Sequence, residues 1–126
     1  MSFLAPYAPQ AYALMRIVTG FLFLWHGSQK VLGYPPMPPE HGPPALILWT
    51  AGPIELFGGL LVMLGLLTRP AAFLSSGLMA AAYWMAHGTN ALLPVNNGGE
   101  LAALYCFVFL FIACYGPGIW SIDDNG

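Results

Sequence analysis

Long apolar stretches alternate along this chain with short connections that are polar or rich in proline. Runs of about twenty apolar residues cross a bilayer as α-helices. The pattern predicts four such spans, at 11–32, 46–67, 71–88 and 98–115. No alternating segment of about ten residues recurs, so the strands of a membrane barrel are not expected. Short connections favour antiparallel neighbours. The expected fold is all-α, a transmembrane antiparallel four-helix bundle forming one domain over 1–126.

The connections differ in character. Residues 34–44 read YPPMPPEHGPP. Proline removes backbone donors, so this is a stiff loop outside the hydrocarbon. Thr68-Arg69-Pro70 is a tight turn whose proline opens the third helix. The 89–97 loop (TNALLPVNN) is polar at both ends, and the chain closes on GPGIWSIDDNG, an acidic tail. The apolar run that starts near residue 11 has no basic residue before it, so it reads as a retained span rather than a secretory signal.

Composition sharpens the picture. Of 126 residues, 58% are hydrophobic and 6% charged, against roughly 25% charged in a soluble domain. A soluble enzyme and a disordered chain are both excluded. The basic residues are Arg16, Lys30 and Arg69, far apart in sequence, so no nucleic-acid partner is expected. With four spans, both termini share a side with Arg69, and Arg16 lies nearest it. The positive-inside rule then favours cytoplasmic termini by two residues to one. Trp25, Trp49 and Trp84 fall toward the far side and Trp120 toward the near side, as in aromatic belts. Cys106 and Cys114 are about 12 Å apart along a helix, too far for a disulfide, and read as core fillers.

Ionisable groups inside spans point to function unless they are paired. Arg16, Gly20, Gly27 and Lys30 share one stripe of the first helix. Gly52, Glu55 and Gly59 share one of the second. The glycines allow close helix contact. Arg16 and Glu55 are expected to form a buried structural ion pair, although Arg16 sits about 10 Å nearer the cytoplasm. A second group gathers at the outer ends: His26, Lys30, His87, Asn96, Asn97 and Glu100. With Glu55, the residues His26, Lys30, His87, Asn97 and Glu100 are candidates for binding a polar headgroup or handling protons. Each also has a plainer reading. His26 can be a packing histidine, Lys30 can snorkel to headgroups, His87 can sit at the interface, and Glu100 can cap its own helix. Glu40 and His41 are expected in solvent. No metal is expected, since Glu-x-x-His motifs are absent; His26 and His87 differ by about 7 Å in depth, which disfavours a haem clamp. No catalytic motif is present, so catalytic residues are not assigned.

The ordered set Arg16, Gly20-Phe21, His26-Gly27-x-x-Lys30, Glu55-x-x-Gly58-Gly59, Leu64-Gly65-Leu66-x-Thr68-Arg69, Asn97-Gly98-Gly99-Glu100, Tyr105 and Gly116-Pro117-Gly118-x-Trp120-Ser121 resembles the DoxX family of small bacterial membrane proteins. The resemblance implies a four-helix protein of the bacterial inner membrane with cytoplasmic termini. One relative belongs to an archaeal thiosulfate:quinone oxidoreductase, and others are proposed to assist redox or stress-defence proteins. Sulfur chemistry is not expected here, since no family motif places the two cysteines as a redox pair. Three functions follow as expectations: a redox accessory binding a quinone or lipid near the extracytoplasmic face, a non-catalytic anchor or assembly subunit, and a small proton or solute transporter. The expected partners are the lipid bilayer and either further copies of the chain or other membrane redox subunits.

Overall fold

A computed structural model describes residues 1–37, 44–88 and 90–123. Glu40 and His41 of the proline loop lie outside the described residues. The described residues form helices and no strands. A 3₁₀ turn, Ser2–Tyr7, leads into α1 (Ala8–Val31). Then come α2 (Ala45–Leu64), α3 (Thr68–Ala82), a π-helical turn at Tyr83–His87, the short α4 (Pro94–Asn97) and α5 (Glu100–Tyr115). The helices of the four expected spans are therefore all present. Two boundaries differ from expectation. The third helix gives way to the π turn instead of continuing to residue 88. The fourth starts after a separate short helix, because Gly98 adopts a left-handed conformation (φ 78°) that ends α4.

Helix α1 packs along α2, α2 against α3, and α3 along α5. The α1–α2 contact runs through the two glycine stripes. A Cβ on Gly20 would stand 2.5 Å from the Gly59 carbonyl oxygen, and one on Gly59 would stand 2.7 Å from the Leu24 amide. The two backbones touch, as small residues permit. Between the helices Phe23, Val62, Ala72, Phe109 and Ile112 are all 1% exposed or less. Phe23 meets Phe109 edge to face at 4.6 Å between centroids, which ties α1 to α5.

One end of the molecule, where α1 begins and α5 ends, is built on Arg16. Its side chain has no exposed surface. Its Nε donates to the Val62 carbonyl at 3.1 Å. The terminal nitrogens donate to the carbonyls of Pro117, Ile119 at 3.0 Å and Trp120 at 2.6 Å. The expected Arg16–Glu55 pair does not form. Arg16 lies level with Val62, and Glu55 is seven residues away on α2, about 10 Å along the axis. That offset is too large for the side chains to close, and nearer carbonyls take the guanidinium instead. Tyr12 adds a bond from its hydroxyl to the Gly116 carbonyl at 2.6 Å.

The same C-terminal segment is held from two other sides. The amides of Ile122 and Asp123 donate to the carbonyls of Leu64 and Gly65. The Asp123 carboxylate accepts from the amides of Leu67 (3.0 Å) and Thr68 (2.9 Å) at the start of α3. It thus caps a helix some fifty residues earlier, whose own N-cap side chain is an apolar leucine. These amide bonds, Thr68 first, hold the Asp123 carboxyl below its ordinary value of 3.8. Leu67 (φ 49°) and Trp120 (φ 57°) occupy the left-handed region without being glycine. Both strained residues are pinned by this network. Arg69 meanwhile donates to the last carbonyls of α5, at Ala113, Cys114 and Tyr115, groups a helix end leaves unpaired.

Two outcomes follow. Arg16→Ala removes the guanidinium donor from the carbonyls of Pro117, Ile119 and Trp120, and is expected to cost about 3–4 kcal/mol. Arg16→Lys should recover little, since an ammonium cannot span that fan of acceptors. Thermal unfolding in detergent reads both, and a wild-type midpoint in Arg16→Ala would refute the role. For Asp123, a depressed carboxyl contributes stability that is fully present above pH 3.8 and is lost as pH falls through the lower folded value. The exchange protection factors of the Leu67 and Thr68 amides should therefore fall as pH drops below 3.8 in the wild type. In Asp123→Asn they should be lower than wild type at neutral pH and should not change through that window.

Candidate functional site

At the opposite end the polar groups are less fully used. Lys30, in the last turn of α1, forms an ion pair with Glu55 of α2, Nζ to Oε2 at 2.7 Å. The two side chains are 15% and 6% exposed. Lys30 also reaches the His26 carbonyl at 3.4 Å. Gly27 and Gly52 make this crossing tight: a Cβ on Gly52 would meet Lys30 Cβ at 3.0 Å. The partner of Glu55 is therefore the cation at its own depth.

Beside this pair lies a cavity of about 220 Å³ between α1, α2, α3 and α5. Its polar side chains are His26, Glu55, His87 and Tyr105, its apolar ones include Phe23, Met79, Ala82, Leu101 and Ala102, and the backbone of Gly98 completes the lining. The His26 and Tyr105 rings meet edge to face, 6.1 Å between centroids. His87 reaches the cavity because the helix that carries it changes to a π turn at Tyr83. Single π turns often mark functional positions, since they re-aim the side chains that follow.

The loop between α4 and α5 is set by Asn97, which is buried. Its amide nitrogen donates to the Tyr83 hydroxyl (3.0 Å) and the Ala91 carbonyl (3.2 Å). Its carboxamide oxygen accepts from the Gly99 amide at 2.7 Å. A Cβ on Gly99 would collide with the Tyr83 ring at 2.7 Å, so glycine is what lets α5 start beneath Tyr83. The Asn97 carbonyl lies 3.2 Å from His87 Nδ1. A carbonyl oxygen only accepts, so Nδ1 carries the hydrogen.

Of the six sequence candidates, His26, Glu55 and His87 line the cavity. Lys30 holds Glu55, and Asn97 holds His87. Glu100 is exposed in the first turn of α5 and does not line the cavity; Asn96 is likewise exposed. Tyr105 belongs to the site, yet sequence reasoning gave it no role there. The available signal was its place with Phe109 and Ile112 on one stripe of α5, a hydroxyl on an otherwise apolar inward face. Among the described residues no group of three metal-binding side chains occurs.

The DoxX family model matches residues 11–88, from the start of α1 through the π turn. The chain belongs to the DoxX family. It is 40% identical over 131 aligned positions to an uncharacterized protein of Haemophilus influenzae, covering 99% of this chain and 97% of that one. It is 31% identical over 120 positions to the inner membrane protein YqjF of Escherichia coli, covering 86% and 85%. No solved structure matches. As a DoxX family chain it is a membrane protein.

The ion pair can be tested apart from any ligand. Lys30→Met alone strands a buried carboxylate and should cost about 3–5 kcal/mol. The double variant Lys30→Met with Glu55→Leu should recover most of that loss, because both charges leave together. A double-mutant cycle by thermal unfolding in detergent measures the coupling. Additive effects would mean that the pair does not act as a unit.

Proposed function

We propose that this DoxX chain crosses the bacterial inner membrane four times, with both termini in the cytoplasm. We further propose that it serves a membrane redox or stress-defence system by binding the single-ring head of a lipid-soluble carrier, such as a quinone, in the His26–Glu55–His87–Tyr105 cavity. The membrane disposition is supported by an inside-out surface. Arg16, Glu55, Ser75 and Asn97 are buried. Leu14, Phe21, Phe57, Phe73, Leu104 and Phe107 are 46–67% exposed. Contiguous apolar surface on that scale marks contact with lipid or a partner. Among the described residues, Ala45–Leu64 meets the length and composition of a span taken alone, and Glu100–Tyr115 is apolar but shorter. The proposed orientation places Arg16 and Arg69 on the cytoplasmic side and the cavity toward the other face.

The observation that carries the ligand reading is the cavity. Sites for drug-sized molecules run from about 300 to 1,000 Å³, so 220 Å³ suits one ring and not a larger cofactor. Apolar walls with a few convergent polar groups are the usual make-up of such a site. The reading as a transport path is less favoured, because Phe23, Val62, Phe109 and Ile112 fill the interior between the cavity and Arg16.

Decylubiquinone, offered in oxidised and reduced form to the protein in nanodiscs, should show saturable binding above empty discs. Ala102→Phe, which places a ring inside the cavity, should abolish binding of both forms while the thermal midpoint stays near wild type. Undiminished binding in Ala102→Phe would locate the ligand elsewhere.

A further inference from the structure

We infer that the cavity selects a hydroxyl-bearing ring, such as a quinol or phenol, over the carbonyl-bearing quinone form. The inference deepens the reading of the cavity as a ligand site and rests on it. Its basis is the count of donors and acceptors. His87 gives its Nδ1 hydrogen to the Asn97 carbonyl, so the Nε2 of the neutral ring holds only a lone pair. Glu55 engages Lys30 through Oε2, and among the described residues no donor meets Oε1. A carboxylate oxygen can only accept. The side chains of the cavity thus present two obligate acceptors.

The other two polar groups are ambivalent. Neither the His26 ring nor the Tyr105 hydroxyl makes a hydrogen bond among the described residues, and each can donate or accept. No side chain that can only donate lines the cavity; Lys30, the nearest such group, is turned to Glu55 and is not part of the lining.

A ring with carbonyl oxygens brings acceptors alone. It could satisfy His26 and Tyr105, but it would face the lone pairs of Glu55 and His87 and leave both unpaired. A ring with hydroxyl groups donates to those acceptors and accepts from Tyr105 or His26. Sites built around a substrate hydroxyl reject the analogue lacking it, because their own buried groups are then unpaired.

The test compares decylubiquinol and decylubiquinone with the protein in nanodiscs at pH 8, where imidazole is neutral, the quinol arm under nitrogen. Wild type should bind the quinol at least about tenfold more tightly. His87→Gln offers an amide that can donate as well as accept, and should reduce the preference severalfold by strengthening quinone binding. Glu55→Gln should act in the same direction, and His87→Gln keeps the test intact if loss of the ion pair prevents folding. Equal affinities, or tighter quinone binding, in a wild type whose binding is blocked by Ala102→Phe would overturn this inference and leave the ligand site standing. Binding of neither form would overturn both.

Discussion

A guanidinium removed from water needs acceptors for its donors, and in this fold the backbone supplies them. Arg16 sits two turns into α1 and takes carbonyls from α2 and from the C-terminal segment. The cost of burying the charge is offset only if the acceptors are held in place. That requirement organises the whole end of the molecule. Gly116 and Gly118 turn the chain through left-handed conformations, so that successive carbonyls point at one side chain. Gly65, also left-handed, leaves room beside the guanidinium. Asp123 then reaches α3 because the segment before it is already fixed. Four helices and the tail are joined by polar contacts that no apolar periodicity would specify.

The two ends follow opposite rules. Near the termini Tyr12, Arg16, Arg69 and Asp123 all have partners, and the interior above is filled with aromatic and aliphatic side chains. Near the loops the Lys30–Glu55 pair is closed, but His26, Tyr105 and one oxygen of Glu55 keep unused hydrogen-bonding capacity around a cavity. Buried polar groups in an apolar setting are usually satisfied. Where several are left open together, beside a space of the right size, a ligand or water is the natural complement. The two ends share α1, which carries both Arg16 and His26 on one unbroken helix.

Much of this was legible from the chain. The four apolar runs marked the long helices, and the glycine stripes marked the α1–α2 contact. His26, Glu55 and His87, candidates from the sequence, line one cavity. What failed was pairing by attraction without depth. Arg16 was matched with Glu55, although helix rise separates them, while Lys30 stood level with Glu55 on the same stripe. Glu100 was grouped with His26, Lys30, His87 and Asn97 by its depth at the outer ends, but the left-handed turn at Gly98 and the first turn of α5 carry it outward. The π turn that aims His87, and the long-range cap by Asp123, leave no periodic trace. Tyr105 was hidden because tyrosine on an apolar stripe reads as core until its hydroxyl is found facing a cavity.

Face-averaging explains one further apparent conflict. Judged helix by helix, Ala45–Leu64 is the one described segment long and apolar enough to cross a bilayer by composition. Helix α1 has 24 residues, so its polar residues, not its length, hold it back. Yet Arg16 is buried and Lys30 is turned to Glu55, while Leu14, Val18, Phe21, Leu22 and Trp25 form its outer face. A lipid chain would meet only that face. An average over the whole helix counts charges that lipid never touches, and so understates the apolar character of any helix whose charges are spent inside. The same internal pairing that makes α1 look too polar to cross a membrane is what would allow it to do so.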